Sequence, residues 1–525
     1  MLRRLKYAFR VGRSWRATAV LFRVGLVASL LGSSPVAAHW LPMNDVGLRH
    51  DVQLLVDGGV VKGPLGTWPL PRYALARIAD RAVPPAVLSA QEADAWRRLY
   101  QALHATQGWS GNIAASAAAG KAEPPAQLAW FDRANPQGSQ VDLAAGYSGD
   151  RFAFRASGQW VEEPVDGETL RADGSFAAVR LGNWLASAGL MTRWWGPGWS
   201  GSPIMGNAAR PVPGVAVQRA DPRPFDVPIL KWLGPWTFQA IAGQLESERM
   251  RPRANLIAAR AVIQPIPRLE IGASRAALWG GPGSPRTPTT FWDVLTGNTN
   301  EPDRDVSANQ LAGFDARLSF PRHSIPWAAY AHMIGEDEAG MLPSNYFGLL
   351  GLESWGRSAP GGGYRAFVEY SETTSRFYEN RARLNVVYES NSYRTGYRYK
   401  DRPIGHPTDG DSRLLTLGWM FTSPAQRRWT ALLRLGDLNR SDNPDFRAPW
   451  GGNRIANRRT YLVDVEAERG RPLWGGEATV SAGVAWLDKN GRSGNDIEPR
   501  VLLGYRRGIG GGEHSPYPEE NRPRP

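Results

Sequence analysis

In the stretch Tyr393-Arg394-Thr395-Gly396-Tyr397-Arg398-Tyr399-Lys400, tyrosine and threonine alternate with arginine, glycine and lysine. Side chains on a β-strand point alternately to its two faces, so this stretch predicts one apolar face and one charged face. The segment Leu384-Asn385-Val386-Val387-Tyr388-Glu389 just before it has the same period of two. About eighteen short segments of this kind follow one another from about residue 139 to residue 507. The sequence therefore predicts a chain built mainly of strands.

The number of these strands favours a membrane barrel. A soluble sandwich also alternates, but few sandwiches have so many strands in series with aromatic residues near their ends. A barrel in the outer membrane needs apolar side chains toward lipid, polar side chains toward the lumen and aromatic residues at both interfaces. The 22 tryptophans and 58 glycines suit such a fold. We therefore predict an all-β transmembrane barrel of about 18 antiparallel strands over residues 136–507.

The connections between the predicted strands alternate in length. Long ones are expected at 280–308, 335–345, 401–412, 438–459 and 488–497, and short ones at 264–267, 322–326, 423–426 and 471–475. Bacterial barrels keep short turns in the periplasm and long loops outside the cell. This pattern predicts that the long loops are extracellular.

Residues 1–38 have the composition of a signal peptide. Residues 1–16 are rich in basic residues and contain no acidic ones, and Val24 to Leu31 forms a short apolar core. Cleavage is expected between Ala38 and His39. A membrane anchor is the alternative, but the apolar core is much shorter than the roughly 20 residues that span a bilayer.

Residues 39–135 are expected to form a small periplasmic helical bundle followed by a linker. Apolar spacing predicts helices over Asp45–Val56, Pro71–Ala79 and Ser89–Thr106, the last with Ser89 as its cap and Glu92 three residues on. The bundle is expected to dock against the mouth of the barrel.

The ends of the barrel are less clearly marked in the sequence. Residues 108–126, rich in Ala, Gly, Ser and Pro, are interpreted as a linker. Either Gln140–Tyr147 or Arg151–Val161 is expected to open the barrel, and Arg500–Tyr505 to close it. Residues 508–525 are expected to form a disordered tail.

Charge and composition exclude several classes of function. Removal of residues 1–38, which carry seven basic and no acidic residues, lowers the net charge from +13 to +6. This mild excess does not favour nucleic-acid binding. The chain has no cysteine, so disulfides, covalent haem attachment and thiolate metal sites are excluded. We expect no cofactor and no resident metal.

Several segments resemble the capsule assembly Wzi family of outer-membrane proteins. They are Leu41 to Asp51, Lys62 to Leu70, Arg193-Trp194-Trp195-Gly196-Pro197-Gly198-Trp199, Asn207 to Pro213, Gln310 to Asp315, and Ile334-Gly335-Glu336-Asp337-Glu338-Ala339-Gly340. The resemblance implies an 18-stranded barrel with a helical bundle on its periplasmic side. It also implies a lectin-like, non-enzymatic role in binding capsular or extracellular polysaccharide at the cell surface. Outer-membrane lipid is the other expected partner, and a monomer is favoured.

Aromatic residues are the first candidates for polysaccharide binding. Tryptophan faces stack on the C–H faces of sugar rings, which favours the cluster Trp194, Trp195 and Trp199. The alternative is that these side chains anchor the barrel or pack within their own loop. Trp292 and Trp450, in the predicted long loops, are further candidates.

Polar residues supply the remaining binding candidates. Glu336, Asp337 and Glu338 would suit a divalent cation that bridges to an acidic polymer, or would pair with nearby arginines. Arg210, close to Asn207, would reach a glycan carboxylate with two hydrogen bonds, or would pin its own loop. Asn207 and Arg210 are both included among the candidates.

The charges predicted to face the lumen have two interpretations. Arg394, Arg398 and Lys400 on one segment and Asp464, Glu466 and Glu468 on another would line a selective pore for sugars or anions, or would form an ion-pair network that fills the interior. The pore is the alternative function. No glycine–serine elbow, zinc motif or phosphate loop is present, so the chain is not expected to be an enzyme.

Overall fold

Eighteen antiparallel strands form a closed barrel in a computed structural model of the chain, which confirms the predicted fold class. The structure describes residues 39–510 except 74, 76–87, 105–107, 122, 135–137, 297–307, 340–341, 359–360, 381 and 490–494. The strands are β1 (Gly108–Gly120), β2 (Gln140–Ser148), β3 (Phe152–Val161), β4 (Phe176–Leu181), β5 (Trp184–Gly189), β6 (Gly214–Arg219), β7 (Trp236–Gln244), β8 (Asn255–Ile266), β9 (Leu269–Trp279), β10 (Ala308–Phe320), β11 (Trp327–Ala339), β12 (Leu342–Arg357), β13 (Gly363–Glu372), β14 (Arg413–Thr422), β15 (Arg428–Leu438), β16 (Thr460–Leu473), β17 (Gly476–Asp488) and β18 (Asn495–Gly510). The short segment Leu170–Arg171 pairs with β3 beside β4.

The barrel closes between β1 and β18. Their ladder runs from Ser110 opposite Gly510 to Gly120 opposite Arg500. The linker expected at 108–126 is therefore wrong over β1, and neither Gln140 nor Arg151 opens the barrel. Alanine and glycine have low strand preference, but pairing on both edges holds this segment extended. The closing strand also continues to residue 510, into the expected tail.

Alternation along each strand separates the outer wall from the lumen. In β12, Leu350 and Leu352 are 47% and 52% exposed, whereas Leu349 and Glu353 on the opposite face are 1% and 3% exposed. A wall with leucine outside and a carboxylate inside is what a lipid-facing barrel requires.

The two ends of the barrel differ in the length of their connections. One end, here the short-turn end, carries links such as 182–183, 267–268, 423–427 and 474–475, with a longer link at 220–235. The other, the long-loop end, carries 190–213, 280–307, 373–412 and 439–459. The predicted alternation is confirmed in outline. However, the loop expected at 335–345 is wrong, because β11 and β12 continue to residues 339 and 342.

The stretch Leu384–Lys400 does not cross the membrane, so its prediction as two strands is wrong. It belongs to the long link 373–412, which folds into the lumen. Tyr393 and Tyr397 are buried there, and their hydroxyls donate to the carbonyls of Gly280 and Ile204 at 2.9 and 3.0 Å. Only Arg398–Tyr399 forms a short ladder, with Arg402–Pro403.

Two helices precede the barrel. Helix α1 (Val46–Asp57) begins at Asp45, whose side chain accepts from Leu48 N at 3.0 Å. Helix α2 (Ala90–His104) has the predicted Ser89–Glu92 capping box, with Ser89 N donating to Glu92 at 2.8 Å. Both predictions are confirmed, whereas the helix expected at 71–79 falls mostly outside the described residues, as do residues 1–38 and 511–525. No described helix is long and apolar enough to cross a membrane.

Helix α1 lies inside the barrel rather than at its mouth. Every residue of α1 except Gly47 is buried. Its Asp57 carboxylate accepts two hydrogen bonds from Arg317 of β10, and His50 Nδ1 accepts from Arg365 of β13 at 3.0 Å. Helix α2 packs on α1, where Nη2 and Nε of Arg98 donate to the two carboxylate oxygens of Asp51 at 2.6 and 2.7 Å. The expected docking therefore takes the form of insertion into the lumen.

Candidate functional site

Two parts of the chain fill the lumen from opposite ends. Residues 39–71, which include α1, occupy it from the short-turn end, and links 190–213 and 373–412 fold in from the long-loop end. They meet in a two-residue ladder that places Thr67 opposite Trp195 and Trp68 opposite Trp194. We refer to these three segments together as the plug. At the level of this ladder, the described interior is packed protein.

Arg49 of α1 joins the two halves of the plug. Its guanidinium donates to the carbonyls of Pro197 and Gly198 at 2.7 and 2.8 Å and lies 4.3 Å from the ring centroid of Phe131. Burial lowers the pKa of Arg49 to about 10, so the side chain remains charged at neutral pH. A buried charge of this kind is stable only while these acceptors stay in place.

Glu353 of β12 fixes the plug to the wall. Its carboxylate accepts from Trp199 Nε1 at 2.8 Å, and from Arg317 and Arg365 at 2.7 Å each. Because Arg317 also binds Asp57 of α1, one carboxylate connects the helix, the inward loop and three wall strands. This junction holds both halves of the plug at once.

The tryptophan cluster predicted to bind sugar is part of this plug. Trp194, Trp195 and Trp199 are at most 1% exposed. The indole nitrogens donate to Gly198 O, Gln239 and Glu353 at 3.0, 2.7 and 2.8 Å. The prediction that these rings stack on sugar at the surface is wrong in this structure, since each ring is enclosed by the lumen. The alternative, packing within the loop, describes their contacts.

Asn207 and Arg210 also face inward. Asn207 donates to Trp130 O at 2.9 Å. Arg210 binds both carboxylate oxygens of Asp173 at 2.8 and 2.9 Å, and also contacts Asp166 and Glu168. Arg210 therefore joins its own link, 190–213, to the link 162–175 rather than pinning its own loop, and its guanidinium is occupied by carboxylates of the protein. We call Arg210 with these three acids the Arg210 cluster.

Of the predicted acidic cluster, the structure describes the side chain of Glu336. Glu336 is buried and accepts from Tyr388 N at 3.2 Å. The side chains of Asp337 and Glu338 lie outside the described part of the chain. Within that part, no group of three or more potential ligands is suited to a metal ion.

The acidic residues predicted to face the lumen form an ion-pair network. Asp464 pairs with Arg434 and Arg500 at 2.7 Å each, and Glu466 and Glu468 both pair with Arg133. On the plug side, Arg398 pairs with Glu389 and Asp409 at 2.7 Å each. The packing interpretation is confirmed for these groups, and it argues against a pore lined by free charges.

Two predicted tryptophans remain at the surface of the long-loop end. Trp292 is 61% exposed on helix α3 (Pro288–Thr296) in the link 280–307, and Trp450 is 37% exposed in the link 439–459. Arg447, close to Trp450 in sequence, donates to Asn391 of the link 373–412 at 2.5 Å. The exposed surface therefore offers indole faces beside amide and guanidinium groups, which is the chemistry that binds sugars.

Sequence reasoning missed the residues that assemble the plug. Arg49 and Asp57 lie on a helix whose spacing predicted only an apolar stripe, and Glu353 lies on a wall strand. The alternation of side chains along β12 places Glu353 in the lumen, just as the same alternation predicted for Asp464 and Glu466. Its partners Arg317, Arg365 and Trp199 lie 36, 12 and 154 residues away from it in the sequence. Such distances give no local signal.

Comparison with known proteins agrees with this architecture. Residues 118–486 match the family model of capsule assembly protein Wzi. The chain is 33% identical over 425 residues to an uncharacterized 55.8 kDa protein in the cps region of Klebsiella pneumoniae, covering 80% of this chain and 81% of that one. Wzi of Escherichia coli, described as an outer-membrane, carbohydrate-binding β-barrel involved in group 1 capsule assembly, superposes with a TM-score of 0.78 at 28% identity, covering 90% of this chain and 99% of that one. The chain belongs to the capsule assembly Wzi family.

Proposed function

We propose that this chain is an outer-membrane barrel that binds capsular or extracellular polysaccharide on its long-loop surface and helps to attach or assemble it there. The observation that carries the proposal is the combination of a filled lumen with exposed indoles at one end. A barrel that is packed across its interior has its external loops as the main surface for a large ligand. The carbohydrate binding described for the related Wzi barrel supports this reading.

The proposed orientation follows from the connections. Short turns would lie in the periplasm together with helix α2, and the long loops carrying Trp292 and Trp450 would face outward. A polysaccharide repeats the same chemical unit many times, so several weak contacts across these loops would act together. Attachment through many sites is much stronger than any single site.

The structure favours binding over the two alternatives. A channel for sugars or anions would need a continuous aqueous path, whereas the plug and the paired lumenal charges occupy the described interior. An enzyme would need a set of catalytic groups at an accessible surface. His332 of β11 is buried under Gly196, with Asp315 at 4.0 Å. The protein is proposed to act without catalysis, as a monomer surrounded by lipid.

The proposal is tested by deleting the gene and measuring the fraction of polysaccharide that stays attached to the cells. Complementation with the wild-type gene should restore attachment, and complementation with Trp292→Ala/Trp450→Ala should restore less. Trp232→Ala is a matched control, because Trp232 is 66% exposed but lies in the link 220–235 at the short-turn end. Equal attachment with and without the gene would contradict the proposal.

A further inference from the structure

A cavity of about 480 Å³ remains in the lumen between the plug and the wall strands β1–β3. Its origin is visible in the sequence, because these strands present small residues to the lumen. Ala114 of β1 lies opposite Asp142 of β2, and Ala144 of β2 lies between Asn112 of β1 and Ser157 of β3. The opposite wall instead carries bulky side chains such as Tyr330 and Phe367, which pack against the plug. The recess is thus built into the wall, and its volume is typical of ligand pockets.

The cavity is lined by both polar and apolar side chains, with an indole on one side. Asp142 of β2 lies opposite Gln159 of β3. Gln140 is two residues before Asp142 and therefore lies on the same face of β2. Trp40 of the plug forms part of the other side, with its indole nitrogen held by Gln218 at 2.7 Å. Carboxylate and amide groups facing an aromatic residue are suited to the hydroxyls and the apolar face of a sugar ring.

Five of the described residues that line the cavity are arginines, and four of them, Arg133, Arg171, Arg210 and Arg506, each pair with a carboxylate. Arg155 is the fifth. It donates to Asn112 at 3.0 Å, and its Nε has no hydrogen-bond partner. Among the described residues, no carboxylate forms an ion pair with its guanidinium within 4.0 Å, and Asp142 of the same cavity interacts with it electrostatically from farther away. Other lumenal arginines of the described wall, such as Arg260 and Arg434, each bind an aspartate directly. Arg155 therefore keeps the capacity to bind a carboxylate that the protein does not provide.

The Arg210 cluster covers the cavity toward the long-loop end. Arg210 and Asp173 line the cavity, while Glu168 of the same cluster is 42% exposed and also contacts Lys400. The cluster is thus a wall with one side toward the cavity and the other toward solvent.

From this geometry we propose that the cavity binds a short saccharide carrying a carboxylate, such as one end or one repeat of an acidic polysaccharide. The carboxylate would pair with Arg155, and the sugar hydroxyls would meet Asp142 and Gln159. This inference rests on the proposed function and adds the ligand class and a second site, separate from the exposed loops.

The test uses purified full-length protein in detergent and two probes, a disaccharide containing glucuronic acid and its carboxyl-reduced, neutral counterpart. Calorimetry should show binding of the acidic probe to the wild type. Arg155→Met should weaken that binding by at least about tenfold while leaving the neutral probe nearly unchanged. Arg155→Lys should restore part of it, and Ala114→Trp, which fills the cavity, should weaken both probes.

The outcomes separate this inference from the proposed function. Equal binding of the acidic probe to the wild type, Arg155→Met and Ala114→Trp, all showing the heat-dependent gel shift of a folded barrel, would overturn the cavity site. Normal retention of polymer by cells, with no disaccharide binding to the wild type, would also overturn the cavity site while leaving the proposed function intact. Disaccharide binding that depends on Arg155, with no effect of the gene on retention, would support the cavity and contradict the proposed function.

Discussion

The guanidinium carbon of Arg49 lies 4.0 Å from the ring centroid of Trp199, so a helix near the N-terminus stacks on a loop that folds in from the opposite end of the barrel. The same guanidinium donates to the two carbonyls just before Trp199 in the chain. A single side chain therefore fixes the two halves of the plug to each other, and its loss should affect both.

Replacement of Arg49 by alanine should loosen the plug without unfolding the barrel. The change removes two charge-assisted hydrogen bonds and a buried cation–π contact, together about 3 kcal/mol or more. In a planar bilayer the wild type should be nearly silent, and Arg49→Ala should show intermittent conductance. Arg49→Lys, which keeps the charge but not the planar fork, should be intermediate. Silence of Arg49→Ala would mean that the plug does not depend on this contact.

Replacement of Glu353 by glutamine should be strongly destabilising. Arg317 and Arg365 would then face a neutral group in a buried site, and breaking a buried ion pair from one side typically costs about 3–5 kcal/mol. The temperature at which the barrel loses its compact form on a gel should fall clearly. Asp496→Asn is a suitable control, because its pair with Lys489 is exposed on both sides. A similar shift for both variants would contradict the role given to Glu353.

The contribution of two buried histidines to the free energy of unfolding should fall when the pH is lowered below about 6.5. Burial lowers the pKa of His39 to about 4 and that of His406 to about 3, so the folded protein keeps both neutral. Above pH 6.5 these histidines are unprotonated in both the folded and the unfolded state, so their full contribution to stability is present. Between pH 6.5 and about 4 the unfolded chain binds protons that the folded chain does not, at about 1.4 kcal/mol per pH unit for each histidine.

Unfolding temperatures between pH 7.5 and 4.5 measure this effect. As the pH falls over that range, His39→Asn and His406→Gln should each lose less stability than the wild type. His323→Asn is the control, since His323 is exposed in the link 321–326 and should leave the slope as it is. Identical slopes for all four proteins would show that the buried histidines are not responsible.

The buried and exposed tryptophans should respond to substitution in opposite ways. Trp195→Ala removes a fully buried ring and should cost about 3–5 kcal/mol. Trp292→Ala, at an exposed position, should leave the folded barrel unchanged. The amount of folded, heat-modifiable protein in outer membranes distinguishes them. If Trp195→Ala accumulates normally, its ring does not contribute to the plug as the contacts indicate.

Alternation was sufficient to predict the barrel but not to locate every strand. Tyr393 to Lys400 alternates as cleanly as any wall strand, yet Tyr397 and Arg398 are both buried inside the lumen. An extended chain that places tyrosine against packed protein and arginine against carboxylates has the same period as one that faces lipid. Conversely, the sequence of β1 predicts a linker, because its small residues have little preference for strands. Its position in the barrel depends on pairing with β18, at the other end of the chain.

The candidate site was predictable only where exposure follows from loop position. Trp292 and Trp450 lie on long links and are exposed, as expected. Trp194, Trp195 and Trp199 also lie on a long link, but that link turns inward because its indole N–H groups find partners on Gln239 and Glu353 of the wall and on its own backbone. Contacts across such sequence distances depend on the closed barrel, which no single segment encodes.

The central claim, that the long-loop surface binds polysaccharide, is tested most directly by equilibrium binding of the purified protein to the polymer made by the same cells. The wild type should bind, Trp292→Ala/Trp450→Ala should bind at least about tenfold more weakly, and Trp232→Ala at the opposite end should match the wild type. A wild-type protein that does not bind the polymer, or a loss with Trp232→Ala as large as with the double variant, would contradict the account.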